Sequence, residues 1–159
     1  MTDNPIKWSA IKYFKPREFD DPLHPGSGES IGGRVLFLLV ELRIETGWPI
    51  RTHWELGGCV DVDGSHGHSD NSYHLLKKGA KAVDFHFLSE DGKRLCDAHP
   101  RMQYAKVEQM RFGGIGVYYD WKWNNRALPI GFHVDPRPVE RMQRWKRVKG
   151  EYIYLLGRN

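Results

Sequence analysis

The longest apolar segment of the chain, residues 31–46, mixes leucine, valine and isoleucine with four charged side chains. Gly47 follows it and Pro49 comes two residues later, which is a usual end for a helix. The segment therefore predicts one largely buried central helix. A second helix is predicted from about residue 100 to residue 110, since proline fits a first helical turn and a Gly-Gly pair closes the far end.

Shorter apolar segments predict the strands of a sheet, at about 50–54, 80–88, 115–119 and 128–134. The tail predicts a hairpin with strands at 142–148 and 151–156, although residues 139–149 also suit a short basic helix. Helices combined with a small, mainly antiparallel sheet make the predicted fold class α+β.

Two segments lack a regular hydrophobic period. Residues 1–30 are rich in proline, aspartate and glycine, and they predict an extended, turn-rich arm over the domain surface. Residues 57–71 are rich in glycine, aspartate, serine and histidine, and they predict a mobile loop that rims a cleft rather than joining the core. With 159 residues and no internal repeat, the chain is expected to form a single domain, 1–159.

Composition adds a preference for anionic partners. The net charge is +4 and the isoelectric point is near 9.1, which suits nucleic acid, a membrane surface or the acidic polymers of a cell wall. The simplest interpretation of the local basic cluster is a solvated face. That cluster comprises Arg137, Arg141, Arg144, Lys146, Arg147 and Lys149.

Two further features concern redox state and location. Cys59 and Cys96 lack any paired spacing, so both are expected to be free thiols. The N-terminus shows no apolar signal core, and no apolar run approaches the roughly 18 residues that cross a bilayer. Synthesis in the cytoplasm without a signal peptide is therefore expected.

The candidate chemistry lies in two histidine motifs. Ser72-x-His74 is followed by Ala82-x-Asp84, and about fifty residues later the chain reads Gly131-Phe132-His133-Val134-Asp135. Two imidazoles and one carboxylate form a known ligand set for catalytic zinc, with the fourth position left for water. The motifs therefore favour His74, Asp84 and His133 as ligands of a Zn²⁺ ion.

The order of these motifs, with Gly-Gly-Ile-Gly-Val-Tyr between the last two, resembles the zinc D-Ala-D-Ala carboxypeptidase and murein endopeptidase family, which includes bacteriophage endolysins. Residues 13–19 and the apolar helix from about residue 35 also look like that family's opening. The resemblance implies a Hedgehog/D-Ala-D-Ala-peptidase-like domain that hydrolyses peptidoglycan peptides with zinc. Its partner would be the murein peptide rather than nucleic acid or membrane, and it would reach the cell wall after release or delivery.

The chain departs from the family pattern in the spacing of its first two ligands. The family's His-x-x-Gly-x-Ala-x-Asp leaves six residues between them, whereas nine separate His74 from Asp84, which suggests an insertion at 75–78. If that insertion prevented His74 from reaching the metal, His66 or His68 would be the substitute ligand.

The general base also departs from the family pattern. Many members carry a carboxylate three residues before the last histidine, and that position is Ile130 here. Residues two apart on a strand face the same side, so Asp135 is the candidate base, or else it orients His133. By the same rule His86 shares a face with Asp84, where a hydrogen-bonded sheet histidine is the simpler interpretation.

The remaining candidates concern substrate binding. The family holds its substrate with an arginine after the first strand, and Arg51 is the nearest substitute here. Ser72 of the Ser-x-His motif and Tyr118 or Tyr119 complete the candidates, with the tyrosine donating to the oxyanion. Aromatic packing in the core is the alternative for at least one of the two tyrosines.

Two other functions fit parts of the sequence. The missing carboxylate and arginine favour a non-catalytic phage-particle or wall-binding module that keeps the fold. A histidine-metal nuclease is suggested by the basic isoelectric point and by His66, His68 and His74, but the chain lacks the paired cysteines and ββα-metal spacing of that class.

Overall fold

The structure is a computed structural model that describes residues 5–157. It contains two α-helices, α1 (Gly33–Thr46) and α2 (Pro100–Gln109). The strands are β1 (Ile50–Thr52), β2 (Val83–Phe87), β3 (Gly114–Tyr118), β4 (Lys122–Trp123), β5 (Arg126–Ala127), β6 (Gly131–Asp135), β7 (Gln143–Val148) and β8 (Glu151–Leu156). No helix among the described residues is both long and apolar enough to traverse a bilayer.

Six strands form one mixed sheet in the order β1-β2-β6-β3-β7-β8, and β4 pairs with β5 in a separate hairpin. Every neighbouring pair in the sheet is antiparallel except β3 and β7, which run parallel. The α+β prediction is therefore confirmed at the level of two helices with a mainly antiparallel sheet.

The central helix α1 follows the predicted pattern. Val35, Leu36, Leu39 and Leu42 are fully buried, a spacing that places them on one side of a helix. The helix ends at Gly47, whose positive φ of 69° lets its N–H bond the carbonyl of residue 43. The predicted stop is thus confirmed.

The two faces of the sheet have different roles. Because side chains alternate along a strand, one face carries apolar residues such as Phe85, Phe132 and Ile115, which join α1 and α2 residues in the core. The opposite face carries the polar residues of β2 and β6. There Asp84 and His133 are direct cross-strand partners, so pairing of β2 with β6 brings two of the candidate ligands together.

Other sequence predictions met different outcomes. The second helix and the C-terminal hairpin are confirmed, and the basic-helix alternative at 139–149 is wrong because β7 occupies most of that segment. The hairpin of β4 and β5 lies in a segment that carried no strand prediction. Its turn uses two asparagines with positive φ, at 124 and 125, as expected for a tight hairpin turn.

The arm and the loop contribute more to the core than predicted. The described part of the arm contains three short 3-10 helices, yet Phe14 and Phe19 insert into the hydrophobic core; its first four residues lie outside the described part. In the loop, Cys59 and Val60 are fully buried in the same core. The prediction that the loop only rims a cleft is therefore wrong for its first residues. Both cysteines are free, as expected.

Three members of the basic cluster are ion-paired rather than solvated. Arg137 pairs with Asp135, Arg144 with Glu108 and Arg147 with Asp120. Arg144 is buried and also donates to the carbonyls of residues 112 and 113. The interpretation of this cluster as a solvated face is wrong for these three arginines.

Asp21 fastens the arm to the loop. Its fully buried carboxylate accepts hydrogen bonds from the backbone N–H of Leu23 (2.8 Å) and of Val62 (2.9 Å), and His66 Nε2 lies 2.8 Å away. Burial alone would raise the pKa of Asp21, but these hydrogen bonds together lower it to about 2. The ionised carboxylate is therefore the form that the fold stabilises.

Replacing Asp21 by asparagine is expected to lower the free energy of unfolding by about 1–3 kcal/mol at pH 7, because one amide N–H would face a backbone donor. The pKa of Asp21 is about 2 in the folded chain against an ordinary 3.8. Its stabilisation is thus present above pH 3.8 and is lost as the pH falls through about 2. Urea unfolding of Asp21→Asn and wild type across this range tests the prediction. The control Asp63→Asn changes an exposed carboxylate of the same loop; equal losses in both variants would contradict a specific role for Asp21.

Candidate metal centre

Three side chains from separate parts of the chain converge beside the polar face of the sheet. His74 comes from the loop before β2, Asp84 from β2 and His133 from β6. His74 Nε2 lies 3.1 Å from His133 Nδ1 and 3.3 Å from Asp84 Oδ1, and His133 Nδ1 lies 2.9 Å from that same oxygen. The structure thus brings all three predicted ligands together. The space between His74 Nε2, Asp84 Oδ1 and His133 Nδ1 is here termed the metal point.

The other nitrogen of each imidazole is held by the protein. His74 Nδ1 donates to the carbonyl oxygen of Cys59 (3.0 Å), and His133 Nε2 donates to Asp135 Oδ2 (3.0 Å). In a neutral ring these bonds leave lone pairs on His74 Nε2 and His133 Nδ1. Two nitrogen lone pairs and a carboxylate oxygen then face one another, an arrangement that requires a cation between them.

The pKa values of His133 and Asp84 also indicate that this site stabilises a positive charge. Burial alone would lower the pKa of His133, but its hydrogen bonds to Asp135 and Asp84 raise that pKa to about 9. Burial alone would raise the pKa of Asp84, but His74 and His133 hold it well below its usual range. A proton on His133 supplies the positive charge when no metal is bound. Two imidazoles and one carboxylate match the ligand chemistry of zinc, so the residues fit this ion.

The nine residues between His74 and Asp84 do not keep the two side chains apart. Residues 76–78 form a short 3-10 turn, and Gly79, with φ of 94°, reverses the chain. The N–H of Lys81 then bonds the carbonyl of Tyr73 at 2.7 Å, closing the loop. The segment thus folds back on itself, and the Asp84 carboxylate lies next to the His74 ring.

His68 lies beside this centre. Its ring stacks on His74 with centroids 4.2 Å apart, and its Nδ1 lies 2.8 Å from Asp61 Oδ2. It offers a ligand atom within 4.8 Å of those of His74 and Asp84. The structure therefore keeps His68 near the metal point as an additional candidate, although the three shortest distances join His74, Asp84 and His133.

A second group, formed by Asp21, Asp61 and His66, also offers ligand atoms within 4.8 Å of one another. Its carboxylates already accept hydrogen bonds from backbone N–H groups, that of Gly64 in the case of Asp61, and lie within hydrogen-bonding distance of histidine rings. Unlike the first group, it is satisfied by the protein itself, and its evident role is to join the arm to the loop.

Asp135 lies on the far side of the His133 ring from the metal point. It is fully buried, and both its oxygens accept from the Arg137 guanidinium, at 2.8 and 2.7 Å. Burial alone would raise its pKa, but Arg137 and His133 hold it well below the usual range. Of the two roles expected for Asp135, the geometry favours orienting His133 over accepting a proton. Gly114 makes room for it, since a Cβ there would fall 2.3 Å from Asp135 Oδ2.

Protein-family models, curated proteins and solved structures were compared with the chain. None of them matches it. The family resemblance drawn from the motifs therefore stays a prediction, and the chemistry has to be argued from the site itself.

A cleft of about 970 Å³ opens beside His133. Its lining includes four cationic side chains, several aromatic rings and, among the described residues, one carboxylate, Glu140. Glu140 and Trp145 are not among the site residues predicted from the sequence, and Arg137 is predicted only as a member of the basic cluster. Of these three, only Arg137 could have been predicted from the sequence. It stands two residues after Asp135, and residues with that spacing on an extended chain face the same side.

Ser72 and Tyr118 both line this cleft. Ser72 Oγ accepts from the backbone N–H of His74 at 3.2 Å, so it also positions that ligand. The Tyr118 hydroxyl accepts from Trp145 Nε1 at 3.1 Å, and burial raises the pKa of Tyr118 above its ordinary value. Tyr119 is exposed and does not line the cleft, which leaves Tyr118 as the candidate oxyanion donor.

Arg51 lies away from that cleft. It forms an ion pair with Glu55, lies over the Trp123 ring at 5.0 Å, and lines a second pocket together with His86. His86 Nδ1 lies 2.8 Å from His53 Nε2. Burial, reinforced for His86 by the neighbouring His53, lowers the pKa of His53 to about 4 and that of His86 to about 3, so both rings are neutral at pH 7.

Proposed function

We propose that this chain is a zinc-dependent peptidase that hydrolyses peptide bonds in bacterial peptidoglycan, as a phage or prophage endolysin or a D,D-carboxypeptidase does. The observation that carries the metal is the convergence of two imidazole lone pairs with the Asp84 carboxylate. The murein substrate and the Hedgehog/D-Ala-D-Ala-peptidase-like fold rest on the motif resemblance. The site of action would be the cell wall, reached after release or delivery.

His74 Nε2, Asp84 Oδ1 and His133 Nδ1 are the atoms that would hold the ion. When bound, Zn²⁺ polarises a carbonyl and lowers the pKa of water toward about 7. The protein's own part begins with the Cys59 carbonyl and Asp135, which fix the two imidazole tautomers and ring orientations.

Proton transfer and oxyanion stabilisation fall to groups that line the cleft. Glu140 is the carboxylate available there to accept a proton, in place of the buried and paired Asp135. The Tyr118 hydroxyl stays protonated at neutral pH and can donate to a developing oxyanion. Lys78, Lys81 and Arg141 give the cleft a positive charge that suits an acidic wall peptide, whereas the charge of Arg137 is balanced by Asp135.

Metal analysis combined with digestion tests this function. The purified full chain is expected to bind about one zinc ion, and to release peptides from purified peptidoglycan with new amino termini visible by mass spectrometry. Chelation should stop the release, and added zinc should restore it. A chain that binds no zinc, or a zinc-loaded chain that yields no new termini, would contradict the proposal.

The second candidate is a non-catalytic wall-binding module that keeps the metal site. It is favoured by the full engagement of Asp135 with Arg137 and His133. This module would sediment with intact peptidoglycan and bind zinc while leaving the wall peptides uncut, so the same digestion separates it from the enzyme.

A further inference from the structure

The second pocket lies on the same face of the sheet as the metal point. It has a volume of about 530 Å³ and is lined by Arg51, His86, Leu88, Lys93, Arg94, Leu95, Trp123, Asn124 and Arg126. His86 and Asp84 are two residues apart on β2 and face the same side, which separates them by about 7 Å. The pocket is therefore a neighbour of the candidate metal site along β2.

The lining of this pocket carries an excess of positive charge. Four cationic side chains line it, and no carboxylate does so among the described residues. Arg51 is engaged by Glu55 and Trp123. No ion pair occupies Lys93, Arg94 or Arg126 within the part of the chain that the structure describes, so these three cations remain available to an anion.

One buried polar atom also points to a ligand. His86 is 2% exposed, and its Nε2 has no hydrogen-bond partner in the described structure. His53 Nε2 lies 2.8 Å from His86 Nδ1. If His53 donates in that bond, the His86 ring carries its proton on Nε2, an unpartnered atom buried in the wall of the pocket. A buried donor without a partner costs free energy, which a ligand oxygen would recover.

We propose that this pocket binds a carboxylate group of the substrate, with Arg94 and Arg126 as the charged donors and the unpartnered His86 Nε2 as a third hydrogen-bonding group. Leu88, Leu95 and the Trp123 ring form the apolar part of the lining. A carboxylate on a short aliphatic stem, as in an acidic amino acid, satisfies both parts at once. The assignment of this carboxylate to a peptide substrate rests on the proposed function, whereas anion binding itself does not.

The test uses glutarate as probe and the full chain, with ¹⁵N-labelled histidine and tryptophan followed by NMR. Glutarate is expected to shift the His86 ring and Trp123 indole signals. Arg94→Gln combined with Arg126→Gln should weaken binding roughly 10-fold. The expected loss is modest because both arginines are exposed to solvent, which screens their charge. The control Arg101→Gln combined with Arg111→Gln removes the same two charges from exposed positions at the start of α2 and just beyond its end, and should leave binding unchanged.

Three outcomes would overturn the proposal: glutarate that leaves the His86 signal in place, equal weakening by the control, or inorganic phosphate that binds at this site while glutarate does not. Measuring hydrolysis tests the pocket independently of glutarate binding. In an active enzyme the double variant should raise KM for a peptide bearing a free side-chain carboxylate, but not for its amidated form. Glutarate binding without any hydrolysis would keep the pocket and reject the proposed function, whereas hydrolysis with equal KM values would keep the function and reject the pocket.

Discussion

Replacing His133 by alanine is expected to lower zinc affinity by more than about 100-fold and to reduce peptidoglycan hydrolysis to background. Loss of a group that only orients a ligand costs 10- to 100-fold in metal affinity, so loss of a ligand should cost more. His74→Ala should have the same effect, and it leaves the hydrogen bonds of His133 to Asp84 and Asp135 in place. Competition with a chromogenic chelator measures the affinity of each variant, and circular dichroism of the metal-free proteins checks folding.

His68→Ala is the matched control, because it removes an imidazole that stacks on His74 but lies outside the three shortest distances. We expect it to change zinc affinity by only a few-fold. If His68→Ala lost as much affinity as His74→Ala while His133→Ala lost little, the ligand set would be His68, His74 and Asp84 instead.

Asp135→Asn should weaken zinc binding about 10- to 100-fold, and hydrolysis should recover once zinc is raised enough to refill the site. The reason is that Asp135 accepts from His133 Nε2 and so fixes the ring of this candidate ligand. The same change leaves the Arg137 guanidinium without its anion. Breaking such a buried pair typically costs about 3–5 kcal/mol of stability, so the variant should also unfold at lower urea concentration.

Asp120→Asn is the control for Asp135→Asn. It breaks another aspartate–arginine pair, that of Arg147, but touches no candidate ligand. Stability should fall while zinc affinity stays unchanged. An Asp135→Asn protein that is fully loaded with zinc yet remains at least 100-fold less active would instead make Asp135 the general base.

Much of the fold could be predicted from local pattern. The apolar stripe of α1, its glycine stop and the hairpin at the C-terminus each depend on neighbouring residues, and each is confirmed. The parallel pairing of β3 with β7 depends on residues about thirty positions apart, and no local signal encodes it. The burial of Phe19 and Val60 in the core was not predicted either, because their neighbours in the sequence are polar and their core contacts come from distant segments.

Only part of the candidate site could likewise be predicted from the sequence. Alternation along β6 correctly placed Asp135 on the same side as His133, but it could not show that Arg137 engages both oxygens of Asp135. The His53–His86 pair joins β2 to the residue after β1, so it could be found only once the strand order was known.

The three candidate ligands come together only at a late step of folding. His74 and His133 are 59 positions apart, and they meet only when β6 has paired with β2 across the intervening segment. Contacts between such distant residues form late and slowly compared with helices and hairpins. A metal whose spectrum changes on coordination, such as Co²⁺ in place of zinc, would therefore report the moment at which the centre of the sheet closes. Stopped-flow refolding should show that signal after the helical far-ultraviolet signal.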